Sequence, residues 1–329
     1  MTTASSGLLG VTDPDLQARV GEGLEQVEAR LREVVRSSHP LLSEAAAHLV
    51  SAGGKRFRPL LTLLAAQFGD ATRPQVVDAA VVVELTHLAT LYHDDVMDEA
   101  PVRRGAESAN TRWSNTVAIL TGDYLFARAS DLTAGLGTEA TRLQSRTFAR
   151  LVEGQIAETA GPATGADAVA HHLKVLADKT ASLISTSARL GAMTAGAAPD
   201  VVDTLAAYGE VIGIAFQLSD DLIDVLSEAG QSGKTPGTDL REGIATLPVL
   251  LARADGDRDL LSVLEADLSS DAALAQALAA LRVHPAMDQA RARLVAYVED
   301  ARAVAGSLPA GAARDALVAL ADYVLERTG

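Results

Sequence analysis

The chain has 329 residues, a formal charge of −15, and 48% hydrophobic but only 3% aromatic residues. That composition supplies a large aliphatic core. Its acidity argues against a nucleic-acid partner, which needs a basic footprint, and against adsorption on anionic lipid through a basic patch. With no cysteine there can be no disulfide, thiolate nucleophile or cysteine metal site.

The opening stretch "MTTASSGLLGVTDPD" lacks the basic start and the apolar length of a signal peptide, and residues 1–12 are expected to be flexible. From Asp13 the amphipathic run "DPDLQARVGEGLEQVEARLREVV" predicts an outer helix. "GGKRFRP" then places Lys55, Arg56 and Arg58 after a glycine pair and before an apolar run. Between Val76 and Leu91 apolar residues cover most of a helix circumference, which predicts a buried central helix. It ends at Asp94, Asp95 and Asp98, with Arg103 and Arg104 one short loop later. "DKTASL" puts Lys179 beside Thr180. Residues 201–226 predict a second buried helix, ending in Asp220, Asp221 and Asp224, and "PGTDLREG" reads as a surface loop. No run of 18 uncharged apolar residues is present, so no membrane span is expected. No linker, charge block or fixed-period repeat divides the chain. The expectation is a cytoplasmic, all-α protein with a single helical domain over residues 13–329.

The chemistry lies in the two acidic triplets. Asp94 and Asp98 are i and i+4, one turn apart on one helix face, and Asp220 and Asp224 repeat the spacing. Like charges at that distance repel, and burial worsens the repulsion. A solvated helix end is the plain alternative for one such motif, but two copies, each closing an apolar helix, ask for cations. Oxygen-only clusters suit a hard ion, above all Mg²⁺, which keeps waters and bridges carboxylates to phosphates. A di-iron bundle would need Glu-x-x-His pairs and an EF-hand its glycine-containing loop; neither is present. The clustered Lys and Arg residues are suited to diphosphate groups.

With "GGKRFRP", "DDVMD", "RRG", "DKT", "FQLSDDLID" and "GKTPGTDL" in this order, the chain resembles the trans-isoprenyl diphosphate synthases from about Gly53 to Pro248. The resemblance implies the isoprenoid synthase fold, an all-α bundle around a deep central cavity, usually homodimeric. It implies that Asp94 and Asp98, with Asp95 beside them, hold Mg²⁺ on an allylic diphosphate. Asp220 would hold a further Mg²⁺ from the opposite wall, with Asp221 and Asp224 in support. Lys55, Arg58, His87 and Arg104 match positions for isopentenyl diphosphate. Arg103, Lys179, Thr180, Gln217 and Lys234 match positions around the allylic diphosphate, which would be geranyl, farnesyl or geranylgeranyl diphosphate. The reaction it implies is loss of diphosphate from the allylic substrate to give a cation that the isopentenyl double bond would attack, with the proton passing to the departing diphosphate. One departure is Ile244, where many relatives carry Lys.

Product length is read along the helix leading to Asp94. Thr90, Ala89 and Thr86 lie four, five and eight residues before it, one to two turns away. Short-chain relatives carry a bulky aromatic floor at this level. The small residues here, and the lack of an insertion within "DDVMD", resemble the synthases of hepta- to decaprenyl chains for quinones. Other readings are a shorter-chain synthase, a terpene cyclase, whose second metal motif mixes Asn, Ser and Glu, and a non-catalytic subunit of a heteromeric synthase, which would have lost aspartates or basic residues.

Overall fold

The computed structural model describes residues 11–227 and 236–328. In chain order the first helices are α1 (Pro14–Val34), α2 (Pro40–Ser51), α3 (Phe57–Ala66) and α4 (Pro74–Met97). A hairpin of β1 (Val102–Arg103) and β2 (Ala106–Glu107) follows. Then come α5 (Ala109–Arg112), α6 (Asn115–Leu136), α7 (Thr138–Ala160) and α8 (Ala168–Leu176). A single π-turn, Ala177–Ala181, leads into α9 (Ser182–Ala195) and α10 (Pro199–Leu226). The chain continues through α11 (Thr238–Arg241), α12 (Leu247–Asp255), α13 (Arg258–Leu264), α14 (Asp271–Arg282), α15 (Pro285–Gly306) and α16 (Ala312–Glu326).

Local chemistry sets several of these boundaries. Asp13 caps α1 by accepting the Leu16 amide at 2.7 Å, and Pro14 opens the first turn. The buried stripe of α1 runs through Leu16, Val20, Val27 and Leu31, the amphipathic pattern expected from sequence. Of the expected flexible start, residues 1–10 lie outside the described range. Val11 is buried, and its carbonyl accepts from Gln17 Nε2. The expected loop at "PGTDLREG" contains a helical turn, α11, because Asp224 accepts the amides of Thr238 and Asp239 at 3.1 and 3.3 Å.

The chain forms two compact units. The first comprises Met1–Ala149, Leu183–Gly209 and Leu308–Ala316. Its centre is α4, packed chiefly against α6 and then against α3 and α1. The second comprises Arg150–Ser182, Glu210–Ser307 and Leu317–Gly329, where α12 packs against α15, α8, α13 and α14. Helices α4 and α10 are long and apolar enough to cross a bilayer by length and composition. Yet 67% and 61% of those apolar stretches are buried inside the protein, as the two core helices read from sequence require.

Candidate active site

The first acidic set belongs to the last turn of α4. Asp94 is half-buried and Asp98 exposed, while Asp95 points inward and is fully buried. Asp95 Oδ1 accepts Arg103 Nε at 2.5 Å, and its Oδ2 is enclosed without a partner. Burial raises the Asp95 carboxyl above its usual range, and the Arg103 guanidinium opposes that rise. Arg103 also reaches Asp98 at 3.9 Å. Arg103 stands on β1, and the hairpin turn after it, Arg104–Gly105, has φ values of 54° and 76°. Both central residues are thus left-handed, the two-residue turn that matches strand twist, and it sends adjacent arginines to different destinations.

Arg104 turns toward the glycine pair, where its Nη1 donates to the Gly53 carbonyl. Gly54 has φ 145°, a conformation that favours glycine, and a Cβ there would lie 2.9 Å from the mobile end of Arg104, at Nη1. Arg56 differs from the expectation for "GGKRFRP". It is buried, pairs with Glu28, donates to Glu84 Oε1 at 2.7 Å, and binds the Val50 carbonyl at 2.9 Å. It is a structural cation, because Glu84 is itself buried within an apolar helix and needs a counter-charge. Arg58 is placed differently. Its Nε is buried without a partner, and burial, only partly offset by Glu84 and reinforced by Arg104, pushes its guanidinium down to about 10. His87 is held well below its ordinary range by burial and then by Arg58, Arg104, Arg56 and Arg103. It is therefore a neutral imidazole among arginines. Lys55 lies exposed in the same loop.

The second acidic set, at the end of α10, is arranged differently. Asp221 is buried and accepts His172 Nε2 at 2.9 Å and the Leu247 amide at 3.4 Å. Asp224 caps α11, as described. Asp220 is the more exposed carboxylate, and Arg327 Nη2 donates to it at 2.5 Å. Thr180 donates to Gln217 Oε1 at 3.4 Å, so these two expected neighbours do meet. Lys179 Nζ donates to Glu158 Oε2 at 2.5 Å. Both Lys179 and Thr180 sit in the π-turn, where one extra residue per turn re-aims side chains. Arg150 braces that turn through Asp178 Oδ1 at 3.0 Å and the Ala177 carbonyl at 3.2 Å, and is itself held by Glu210 at 2.6 Å. Gly154 lets α7 approach, since a Cβ there would lie 2.6 Å from the Lys179 amide nitrogen. Lys234 lies outside the described residues.

Among the described residues no three carboxylates or imidazoles converge on one point. The donor chemistry nonetheless fits a hard divalent ion. Each set leaves at most two outward carboxylates, which is how Mg²⁺ is held when waters and substrate phosphates complete its shell. The residues that could hold it are Asp94 and Asp98 in one set and Asp220 in the other.

Residues 39–281 match the family model described as polyprenyl synthetase. The chain belongs to the polyprenyl synthetase family. It is a prenyltransferase with the all-α fold of that family. It is 46% identical to nonaprenyl diphosphate synthase from Mycobacterium tuberculosis (strain ATCC 25618 / H37Rv), over the whole of both chains. Among solved structures it resembles geranylgeranyl pyrophosphate synthase from Corynebacterium glutamicum, complexed with calcium and isoprenyl diphosphate. That match has a TM-score of 0.87 and 43% identity, covering 97% of this chain and 99% of the other. A decaprenyl diphosphate synthase from Rhodobacter capsulatus matches at a TM-score of 0.85 and 37% identity, covering 96% and 99%. The family membership explains the order of the motifs. The names of these relatives span several product lengths.

Four side chains that contact the expected site residues or their neighbours escaped sequence reading: Glu84, Arg150, His172 and Arg327. Glu84 carried a signal, a lone carboxylate in an apolar helix. Arg150, His172 and Arg327 carried none, because their partners are 28, 49 and 107 residues away.

Proposed function

We propose that this polyprenyl synthetase condenses isopentenyl diphosphate head-to-tail onto an allylic diphosphate, with Mg²⁺, to give an all-trans polyprenyl diphosphate of hepta- to decaprenyl length for quinone side chains. The observation that carries the reading is the doubled acidic motif. Each copy closes a buried helix, each has a carboxylate turned inward for support, and each leaves another outward for a cation. Asp94, Asp98 and Asp220 hold the metal in this reading, and Asp95, Asp221 and Asp224 support them. Bound metal neutralises the charge that grows on the leaving diphosphate. Arg103, Lys179, Thr180, Gln217 and Lys234 orient that diphosphate. Arg58, Arg104, Lys55 and the neutral His87 bind isopentenyl diphosphate through charge-assisted hydrogen bonds. No side-chain base is assigned; the departing diphosphate accepts the proton.

Product length rests on α4, and here the structure shifts the emphasis. Ala89 is fully buried and Thr86 is 1% exposed, so neither has free space beside it for a passing chain. Thr90 is half-buried, with its hydroxyl turned back to the His87 carbonyl at 2.8 Å. Tyr92 is not a floor: it is fully buried against α2, donating to the Ala45 carbonyl at 2.5 Å. Thr90 is therefore the residue we assign to the ruler.

The reading includes one cytoplasmic domain over residues 13–329 that works as a homodimer. Exposed apolar side chains support self-association: Ile119, Leu120 and Phe148 in the first unit, Val152 and Ile156 in the second. Incubating the pure protein with isopentenyl diphosphate, Mg²⁺ and each of geranyl, farnesyl and geranylgeranyl diphosphate tests the function. Mass analysis is expected to show hepta- to decaprenyl products, and a cyclised hydrocarbon or no elongation would refute it. Light scattering after gel filtration is expected to give twice the chain mass.

A further inference from the structure

Arg327 follows α16 and stands 107 residues from its partner, yet its guanidinium lies on the acidic motif of α10. Its Nη2 donates to Asp220 Oδ1 at 2.5 Å, and its guanidinium carbon is 4.5 Å from the centre of the Phe216 ring. The side chain is only 12% exposed, and Nη1 is buried with no acceptor. The position is held from behind, where Thr328 is buried and its carbonyl accepts Arg291 Nη2 at 3.2 Å. Meanwhile His172, the Leu247 amide and α11 occupy Asp221 and Asp224. Asp220 is thus the carboxylate of this motif left to meet a cation, and Arg327 holds it.

We propose that Arg327 is the resting counter-ion of Asp220, which makes metal binding at the second motif conditional on a diphosphate. The inference rests on the metal role given to Asp220 above. A metal arriving alone must displace a fixed positive charge and leave it beside its own. A metal arriving with a diphosphate brings new acceptors for the displaced guanidinium, including one for the unpartnered Nη1–H. Metal and diphosphate therefore favour each other, and by linkage the coupling is reciprocal. Phe216 keeps the guanidinium near the site after it leaves Asp220, since an aromatic face attracts a cation without engaging its N–H groups. Arg327 is a positioning residue in the resting state and a diphosphate donor in the loaded one.

The test measures Mn²⁺ binding by electron paramagnetic resonance, with and without geranyl thiolodiphosphate. An Asp94→Asn, Asp98→Asn background isolates the second motif. In that background Mn²⁺ alone binds weakly and tightens when the thiolodiphosphate is added. Arg327→Gln is expected to bind Mn²⁺ alone about tenfold more tightly, because the competent, unblocked carboxylate is no longer a minor state. Its gain from the thiolodiphosphate shrinks correspondingly. Equal Mn²⁺ affinity in Arg327→Gln and its parent would overturn the proposal and make Arg327 a structural tie. If Arg327→Gln does not fold, the Nε signal of Arg327 in ¹⁵N-arginine-labelled parent protein, assigned with Arg327→Lys, carries the test. It must shift with Mg²⁺ plus thiolodiphosphate and stay in place with Mg²⁺ alone; any other pattern overturns the idea. Elongation by the unmodified protein is scored separately. Its failure would refute the function above and leave the Mn²⁺ comparison readable.

Discussion

The two acidic motifs share one spacing and differ in how they are supported. At the end of α4 the support is local: Asp95 turns inward and takes Arg103, eight residues later on the hairpin. At the end of α10 it is assembled from distant chain. His172 holds Asp221 from 49 residues away, and Arg327 reaches Asp220 from 107. The first motif also stands next to a preformed basic cluster, with Arg58, Arg104 and the neutral His87 close together. Near the second, a π-turn braced by Arg150 carries Thr180, which meets Gln217, and Lys179, which meets Glu158. A repeated sequence motif therefore fixes what a site binds while leaving open how it is held, and how it is held decides which mutations it tolerates.

Replacing the outward carboxylates should give the largest effects and should not distinguish the two motifs. Asp94→Ala and Asp220→Ala are each expected to lower kcat by about a thousandfold at saturating Mg²⁺, since metal-borne charge stabilisation is lost. Near-normal turnover in either variant would remove it from the metal set. Effects on stability should separate the carboxylates. Asp224→Ala removes the cap of α11 and should cost about 1 kcal/mol of stability, read as a lowered midpoint in urea. Asp98→Ala, at an exposed position, should leave that midpoint nearly in place, whereas Asp220→Ala strips the largely buried Arg327 of its counter-ion and should lower it as well.

Gly154→Ala probes the bracing found only in the second unit. A methyl group 2.6 Å from the Lys179 backbone nitrogen must move backbone rather than a flexible side-chain end. The expected cost is about 1–3 kcal/mol of stability, with a raised KM for the allylic diphosphate and less change in the KM for isopentenyl diphosphate. Equal rises in both would mean that the π-turn does not serve one substrate. Arg150→Ala should act in the same direction, because it frees Asp178 and Glu210 together.

The basic cluster makes a pH prediction for the first unit. Burial and four arginines hold the His87 imidazole below its ordinary value of about 6.5. The unfolded chain then binds a proton that the folded chain refuses, so stability is present above about pH 6.5 and is lost as pH falls below it. His87→Gln cannot take up that proton. Its Tm is expected to fall less than the parent's between pH 6.5 and 5, and parallel Tm profiles would show that His87 is not the group responsible.

The contrast also explains what could be read from the sequence. The buried course of α4 and α10, the amphipathic α1 and both acidic motifs were legible, because each is a local pattern of charge and hydrophobicity. The family resemblance set Thr180 and Gln217, with three other residues, around one diphosphate, and these two side chains lie 3.4 Å apart. What could not be read was the use to which side chains of one type are put. Arg56 and Arg58 are two residues apart, yet Glu28 and Glu84 claim the first while the second keeps a free N–H. Similarly, Ala89 and Thr90 are both small, and only burial separates the fully enclosed residue from the half-buried one.

The ruler is the subtlest prediction, because it should change the product with little effect on turnover. The family relationship does not set length here, since relatives of similar identity are named for geranylgeranyl, nonaprenyl and decaprenyl products. In the reading proposed above, local geometry on α4 does so. Thr90 is one turn before Asp94, so a chain growing away from the metal passes its level early. Thr90→Phe should put a ring into that path and shorten the product, while the first condensation proceeds nearly as before. Ala89→Phe should behave differently: with no accessible surface at that position, the ring overpacks α4 and costs about 1–3 kcal/mol. Mass spectra of the products and urea midpoints of both variants separate these outcomes. Unchanged product length in Thr90→Phe would take the ruler off this face of α4, and shortening by Ala89→Phe at full stability would return it to Ala89.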